Sequence, residues 1–431
     1  KDFVDKMSDA MADDANFRYQ EARIDRITQD QARWSPRIRE PDESVGIKRV
    51  KLFFTVTAIC LVVASLPLVS LLSATESKIG VLSNLEPPVL DMGRFPAPNG
   101  HKKDCYSNRF AKETLKTIKE SNFLQIMLKY SKKDTQQEQM NEATLLDSFE
   151  ASGLIASNDG TSYYVVFDNS FKIGKVNRGI HQVANQVNEL ITWPGKEGDE
   201  SQFESIAYNA TSDTYLVLAE TWKFNKVTKS RVHEIKIKDS NLTVIKSCPV
   251  EHEFSHENKG IEGAAVVKRG NKSILMALCE GNFCEGGKRG KTPGNGRLLV
   301  FERVEDSKGG CAYKQLRTIK LPKEVKFMDY SSISVYMHNR VAISSQENSA
   351  VWVADIVFDD SNDEPISFEN GKIYDFPRNS LCEIIYCNIE GVYFEGENIL
   401  VAVSDKKKGH AKQPFVCNQK SQGIHTFSIP Q

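Results

Sequence analysis

The sequence predicts an all-β fold, a five-bladed β-propeller carried behind a single N-terminal transmembrane helix. Three observations predict it. From about residue 144 onward, short apolar runs alternate with turn residues and show little helical periodicity. One phrase recurs: an acid or hydroxyl opens an apolar run and an acid closes the next, as in "FESIAYNATSDTYLVLAET" (203–221), "IEGAAVVKRGNKSILMALCEGN" (261–282) and "IEGVYFEGENILVAVSDKK" (389–407). The phrases recur at roughly 55–70 residues, room for four strands and their loops.

The first element is a charged stretch of mixed sign, residues 1–51, with few aromatics and no apolar stripe; it reads as a cytosolic tail. "LFFTVTAICLVVASLPLVSLL" (52–72) then runs without a charge, long enough to cross a hydrocarbon layer of about 30 Å as a helix, although a buried core helix is the alternative. Lys48, Arg49 and Lys51 precede it and Ser73-Ala-Thr-Glu-Ser follows, which keeps the N-terminus cytosolic. The expected topology is type II and single-pass, in a secretory membrane such as the Golgi or at the cell surface, with the C-terminal domain luminal or extracellular.

Cysteines and sequons agree with export. Cys60 lies in the apolar segment and eight cysteines follow it, an even number that suits disulfides. Cys279/Cys284 and Cys382/Cys387 are close enough in sequence for local bridges. A zinc site is disfavoured because no CxxC pair occurs. Asn209, Asn241 and Asn271 begin N-x-S/T sequons in polar turns, where a glycosylated asparagine would be exposed.

Residues 73–143 link membrane to body. "NLEPPVLDMGRFPAPNG" (84–100) is rich in Pro and Gly and reads as extended. In 110–130, Leu115, Ile118, Phe123, Ile126, Met127 and Tyr130 approach helical spacing and predict an amphipathic helix packed on the body.

The propeller should occupy 144–431. Its repeats begin at 150, 203, 261, 330 and 389, with third strands such as "RVHEIKI" (231–237) and "RLLVFERV" (297–304) and a fourth such as "KQLRTIKL" (314–321). The last repeat shows three strands, ending with "IHTFSI" (424–429). "TLLDSF" (144–149) is therefore expected to supply its fourth strand and close the ring without a free edge. A sixth blade in the long insert between the third and fourth repeats is the alternative.

Propeller geometry explains the recurring acids. The start of a first strand and the end of the antiparallel second strand lie at the same mouth of the central channel. Ser152, Glu204, Glu262, Ser331 and Glu390 occupy the starts; Asp168, Glu220, Glu280, Glu347 and Asp405 occupy the ends. Carboxylates crowded on one axis repel unless protons or a cation compensate them. Hard oxygen donors suit Ca²⁺. The competing expectation is that the acids only cap strand ends by bonding backbone N–H groups. Two basic loops should overhang this mouth: 284–297, with Lys288, Arg289, Lys291 and Arg297, and 405–412, with Lys406, Lys407, Lys408, His410 and Lys412. Of these, Lys288, Arg289, Arg297, Lys406 and Lys407 are the candidates for holding an anionic substrate, against the alternative that they are solvated loop charges.

Several classes are disfavoured. A net charge of −1 and a pI of about 6.8 give no reason to expect nucleic acid. "GKRGKT" lacks P-loop spacing; G-x-S-x-G and H-E-x-x-H are absent, and no Ser/His/Asp set stands out. His252 and His256 lie in a segment that reads as a hydrated loop.

The phrases "EASGL…YYVVFDNS", "IEGAAVV…LMALCEGN", "SSQENSAVWVADI" and "NIEGVYFE…ILVAVSD" resemble those of the phytase-like and SdiA-regulated β-propellers over roughly 145–431. More distantly, the Ser/Glu pattern at Ser152, Glu204, Glu262, Ser331 and Glu390 is similar to that of the calcium-activated nucleotidases, or animal apyrases. That likeness implies type II topology, five blades and a central Ca²⁺. The chain lacks their Ile-Ala-Asp-Leu-Asp stretch and tryptophan-rich nucleotide loops, so calcium transfers more readily than nucleotide hydrolysis.

Two functions follow as expectations. In one, Glu204, Glu262 and Glu390 hold Ca²⁺ in a phosphohydrolase, an end acid orients water, and the basic loops hold a phosphoester or nucleotide. In the other, a non-catalytic ectodomain binds a glycan, peptide or protein.

Overall fold

A computed structural model describes residues 110–127 and 148–431, apart from 181–187, 196–200, 225–226, 256–258, 271, 338, 360, 362–363 and 410–411. The expected tail, membrane helix and most of the linker lie outside these residues. Among the described residues no helix is long and apolar enough to cross a membrane.

The fold is all-β, as expected, and its sheets are antiparallel meanders. In the first repeat β3 (Ala151–Ala156), β4 (Ser162–Phe167), β5 (Ser170–Asn177) and β6 (Glu189–Thr192) pair in order. The second and third repeats share an eight-stranded sheet. β7 (Phe203–Asn209), β8 (Thr214–Phe224), β9 (Val227–Lys238) and β10 (Asn241–Glu251) form one half. β11 (Ile261–Arg269), β12 (Lys272–Cys279), β13 (Arg297–Glu305) and β14 (Cys311–Lys320) form the other. Only a short parallel contact between β10 and β14, Val250 beside Tyr313 and Glu251 beside Lys314, joins them. The fourth repeat is β15 (Ser332–Tyr336), β16 (Arg340–Ser345), β17 (Ala350–Phe358) and β18 (Pro365–Asp375). The fifth begins with β19 (Ile389–Gly396), β20 (Ile399–Ser404) and β21 (Gly423–Ser428). Second strands such as "SYYVVF" are buried along their whole length, because neighbouring sheets cover both faces.

The first strands form the inner ring. β3 packs on β7, β7 on β11, β11 on β15, β15 on β19, and β19 returns to β3. A small residue stands at the same register in each: Gly153, Ser205, Gly263, Ser332 and Gly391. The reason is backbone proximity. A Cβ at Gly153 would meet Ser205 Cα at 2.9 Å, one at Gly263 would meet Ile333 N at 2.7 Å, and one at Gly391 would meet Gly153 Cα at 3.0 Å. At the other two junctions the serine hydroxyl bridges instead: Ser205 Oγ accepts Ala264 N–H (2.9 Å) and Ser332 Oγ accepts Val392 N–H (3.1 Å).

Ring closure differs from expectation. The strand that completes the fifth repeat is β2 (Lys116–Asn122), antiparallel to β21 with Thr117 beside Phe427 and Ser121 beside Ile424. Just before it, β1 (Glu113–Thr114) adds in parallel to β18 of the fourth repeat. Where the spacing predicts a helix over 110–130, the described residues 110–127 hold β1 and β2, and among them only α1 (Phe123–Met127) is helical. The apparent stripe fails at Ile118, which is 54% exposed, whereas Leu115, Phe123 and Ile126 are buried against different partners. Of "TLLDSF", Ser148 and Phe149 lie outside any strand, and Phe149 packs its ring on Phe123 and Phe167.

Three disulfides are formed among described residues: Cys248–Cys311, Cys279–Cys284 and Cys387–Cys417. Cys382 is also disulfide-bonded. The local Cys382/Cys387 pairing is therefore corrected: the 3₁₀ turn Phe415–Lys420 carries Cys417 to within 5.5 Å (Cα–Cα) of Cys387. Among the sequons, Asn241 is exposed after a two-residue hairpin turn in which Asp239 and Ser240 both have positive φ. Asn209, expected in an exposed turn, is only 8% exposed. It ends β7, and its Oδ1 accepts from Thr211 N–H and Ser273 Oγ–H. Asn271 lies outside the described residues.

At the closing seam Glu120 of β2 accepts from Tyr386 Oη (3.0 Å) and Lys420 Nζ, and stands 3.5 Å from His425 Nδ1. The His425 ring, then Lys420 and Tyr386, hold its carboxyl down at about 2 although burial opposes them. A depressed carboxyl contributes stability that is complete above its ordinary pKa of 4.5 and lost as pH falls toward 2. Glu120 is a third exposed, so solvent screening limits the effect to about 1 kcal/mol. Glu120→Gln should lower the melting midpoint at pH 6 and narrow its gap to wild type as pH falls from 4.5 to 2. A constant gap across that window would contradict the seam's role.

The inner ring gives a second test. Gly263→Ala should destabilise the protein by about 1–3 kcal/mol through overpacking against Ile333 and Ser332. An unchanged thermal midpoint would show that the strands can move apart freely.

Candidate functional site

The predicted channel residues sit on bulges. Pairing skips one residue between Ala151 and Gly153, Phe203 and Ser205, Ile261 and Gly263, and Ile389 and Gly391. Ser152, Glu204, Glu262 and Glu390 are the residues skipped. A bulge breaks the up-down alternation and re-aims the side chain it carries. In the fourth repeat Ser331 precedes β15, and its N–H bonds Ser344 O at 3.0 Å.

The two serines and three glutamates behave differently. Ser152 Oγ donates to Phe203 O of the next inner strand; Ser331 Oγ donates to Ile389 O (2.7 Å) and contacts Ser344 Oγ (3.0 Å). Both serines lace neighbouring repeats. Glu204 and Glu262, by contrast, each bear on the other's charge. Burial raises the pKa of Glu204 well above normal, and Glu220, Asp168 and Glu390 add to the rise. Glu262 rises through burial, then Glu204, Glu280 and Glu220. Glu390 rises through burial, opposed by Lys408 and reinforced by Asp405 and Asp329. All three keep some accessible surface although protein surrounds them, as befits groups lining a wet channel. Water therefore tempers these rises without reversing their direction.

The second-strand acids stand one step farther out. The N–H groups of Asp168, Glu220, Glu280 and Asp405 bond the carbonyls of Glu150, Gln202, Gly260 and Asn388, closing each strand pair through the backbone. Their carboxylates are used unevenly. Glu280 pairs with Lys259, and Asp405 Oδ1 accepts the N–H of Lys406. Glu220, only 9% exposed, has no hydrogen-bond partner among the described residues, and Asp168 Oδ1 is buried without one. Burial, then Glu150, pushes Asp168 up to about 6. Burial, then Glu280, pushes Glu220 up to about 7; burial, then Asp168, pushes Asp405 up to about 7. Burial works against the charge on Lys259, but Glu280, Glu262 and Glu220 overcome it and raise its pKa.

Register alters one member of the set. Ser332 pairs with Ser344, so the residue equivalent to Asp168, Glu220, Glu280 and Asp405 is Gln346. Glu347 lies one residue beyond, 43% exposed and 3.2 Å from Lys291. Asp329, which the sequence pattern did not single out, is a further buried acid here, pushed by burial up to about 6.

A cleft of about 1040 Å³ opens beside this mouth over the third to fifth repeats; Glu280, Asp329 and Gln346 are among its lining residues. Its cations are Lys259, Lys291, Arg378, Lys408 and Lys412. None of the five predicted substrate cations lines it. Lys288 is exposed on α2 (Gly287–Gly290). Arg289 pairs with Glu285 and covers Phe283 at 4.8 Å. Arg297 lies 5.0 Å from the same ring and lines a separate hollow of about 260 Å³ with His252. Lys406 pairs with Glu150, and Lys407 donates to Lys408 O (2.9 Å). For Lys288, Arg289 and Arg297 the cause is the compact winding of the 281–297 loop around buried Asn282. That side chain donates to Gly290, Phe327 and Met328 carbonyls and accepts from Asn295 N–H and Tyr330 Oη. His252 Nδ1 contacts Gln315 Oε1 at 2.8 Å, and His256 lies outside the described residues.

Among the described residues, no group of three or more His, Cys, Asp or Glu side chains is placed so that it could hold a metal ion. The donor chemistry, oxygen only with unpartnered oxygens at Asp168 and Glu220, fits a hard cation such as Ca²⁺ rather than zinc.

These acids make stability pH-dependent. A carboxyl raised by the fold contributes stability that is complete below its ordinary pKa and lost as pH rises through the folded value. With divalent ions chelated, wild type should lose on the order of 1–3 kcal/mol between pH 5 and 8. Asp405→Asn should flatten that slope and raise the midpoint at pH 8. Stability that climbs between pH 5 and 8 would contradict the assigned directions.

No protein-family model matches the chain, and no curated protein matches it. Solved structures that resemble it are β-propeller proteins of low identity. They include the Dos1 propeller (9% identity, 68% of this chain and 68% of that chain, TM-score 0.32). Virginiamycin B lyase from Staphylococcus aureus aligns at 11% identity over 66% of this chain and 82% of that chain, with a TM-score of 0.30. The periplasmic gluconolactonase of Pseudomonas aeruginosa aligns at 10% identity over 53% of this chain and 59% of that chain, with a TM-score of 0.30. At such scores the propeller rests on the chain's own sheet order, and its chemistry on its own residues.

Proposed function

We propose that the chain is a five-bladed propeller whose channel mouth binds Ca²⁺ and whose adjoining cleft holds an anionic phosphoester or nucleotide for hydrolysis. The eight-stranded sheet counts as two blades. The insert that a sixth blade would need is the loop wound around Asn282. Glu204, Glu262 and Glu390 would hold the ion, with Ser152 and Ser331 contributing neutral oxygens beside it. We also propose that residues 52–72 anchor the chain as a type II membrane protein with the propeller on the luminal or extracellular side. Its disulfides support that side, and Asn241 is the sequon best placed for a glycan.

One observation carries the cation reading over strand capping. Backbone N–H groups already bond across the strand ends, while Asp168 Oδ1 is buried without a partner and Glu220 has none. Acids kept only for capping would spend those oxygens. When bound, Ca²⁺ supplies electrophilic polarisation of a ligand oxygen. Asp168, Glu220 and Asp405, poised near neutrality, are suited to take a proton from an attacking water. Glu280, neutralised by Lys259, and Glu347, turned outward, are less suited.

The test is calcium-dependent melting of the purified full-length chain in detergent, followed by a phosphoester and nucleotide panel with and without chelator. An ion at a hundredfold its dissociation constant stabilises by about 2.7 kcal/mol, and Glu262→Gln should remove most of that gain. A wild-type midpoint indifferent to calcium and chelator would sink the ion site. Calcium binding without turnover of any panel member would leave the alternative, a recognition propeller for a glycan, peptide or protein.

A further inference from the structure

At the aligned first-strand starts and second-strand ends, every repeat but the fourth contributes a carboxylate. Glutamates occupy the first-strand starts of the second, third and fifth repeats, and acids occupy the second-strand ends of the first, second, third and fifth. At those positions the fourth repeat contributes Ser331 and Gln346. The large cleft opens over that sector.

Gln346 is 8% exposed and lines the cleft. Its Oε1 accepts Lys408 Nζ at 2.8 Å, and no acceptor among the described residues takes its amide N–H groups. Because Gln346 lines the cleft, those N–H groups are open to an acceptor that enters it. Lys408 is equally distinctive. Lys259 and Lys291 are paired with Glu280 and Glu347, but the hydrogen-bond partner of Lys408 is neutral. Its charge acts on Glu390, Asp168 and Asp405 without a direct ion pair. Asp329 lines the same wall but is turned away: Oδ1 accepts Ser345 Oγ–H (2.5 Å) and Glu347 N–H (3.1 Å).

We propose that the Gln346 amide and the Lys408 ammonium form a receptor for one oxyanion group of the ligand, at the gap in the carboxylate ring. Amide N–H and ammonium are both donors, and together they match a negatively charged oxygen. This deepens the reading of the mouth as a ligand site and rests on it. The ligand carries a phosphoryl-type oxyanion and enters over the fourth repeat. A carboxylate at position 346, as at the equivalent place in both neighbouring repeats (Glu280 and Asp405), would repel it.

The experiment titrates inorganic pyrophosphate into the full-length chain in detergent, with saturating calcium and with chelator, and records the thermal midpoint of every variant. Wild type should bind, and Gln346→Glu, Gln346→Met and Lys408→Met should each weaken binding by about tenfold or more. Gln346→Met keeps the side chain's bulk without donors or added charge, so it serves if Gln346→Glu fails to fold. Variants that melt cooperatively and bind like wild type would overturn the receptor. So would a wild type that ignores pyrophosphate, even if calcium still raises its midpoint. If calcium has no effect but pyrophosphate binds wild type and not the variants, the ion site falls and the receptor stands.

Discussion

Five inner strands can meet about one axis only if their backbones pass almost in contact. Each therefore carries Gly or Ser at one register, and each junction uses it: Gly153, Gly263 and Gly391 where a Cβ would strike the neighbouring strand, Ser205 and Ser332 where a hydroxyl bridges to the next N–H. The residue immediately before this contact is Ser152, Glu204, Glu262, Ser331 or Glu390, and on four strands it is bulged. A side chain locked between a bulge and a backbone contact has little freedom to turn away. Close packing of the ring thus confines the carboxylates together, and their repulsion is a consequence of how the fold closes.

Charge at the mouth is then compensated in three ways. Burial holds the carboxyls of Glu204 and Glu262 toward the protonated form, Lys259 neutralises Glu280, and Lys408 acts at longer range on Glu390. None of these supplies a partner for the buried oxygen of Asp168 or for Glu220. A cation bound at the mouth, as proposed, would satisfy several of these oxygens at once. The fourth repeat is the exception that gives the mouth direction, because a serine and a glutamine there leave a sector where a negative ligand is not repelled.

Much of this was legible in the sequence, for reasons that follow from the repeat. The acids recur because each inner strand begins at the same mouth, so Glu204, Glu262 and Glu390 could be aligned without coordinates. The Gly/Ser that follows each was equally visible, and it marks the backbone contact. Three features were not legible. "YSSISVYMHNRVAISSQENS" contains an acid one residue from the true register, and only the pairing of Ser332 with Ser344 replaces Glu347 by Gln346. Leu115 before β2 and Phe123 and Ile126 after it are buried against separate repeats, and their spacing imitates a helix. Which of the cations on the 281–297 loop reaches the cleft depends on how that loop winds around Asn282, a side chain whose role comes from its partners and from no motif.

Proton-linked calcium binding tests the account most directly. Isothermal titration of calcium into the full-length chain near pH 7, repeated in buffers of different ionisation enthalpy, reads both ion stoichiometry and proton release. Carboxyls that hold protons until a cation arrives predict one ion bound per chain with protons released, and a smaller release in Glu262→Gln. Calcium binding with no proton release would contradict the crowded, protonated mouth, and absence of binding would contradict the cation site itself.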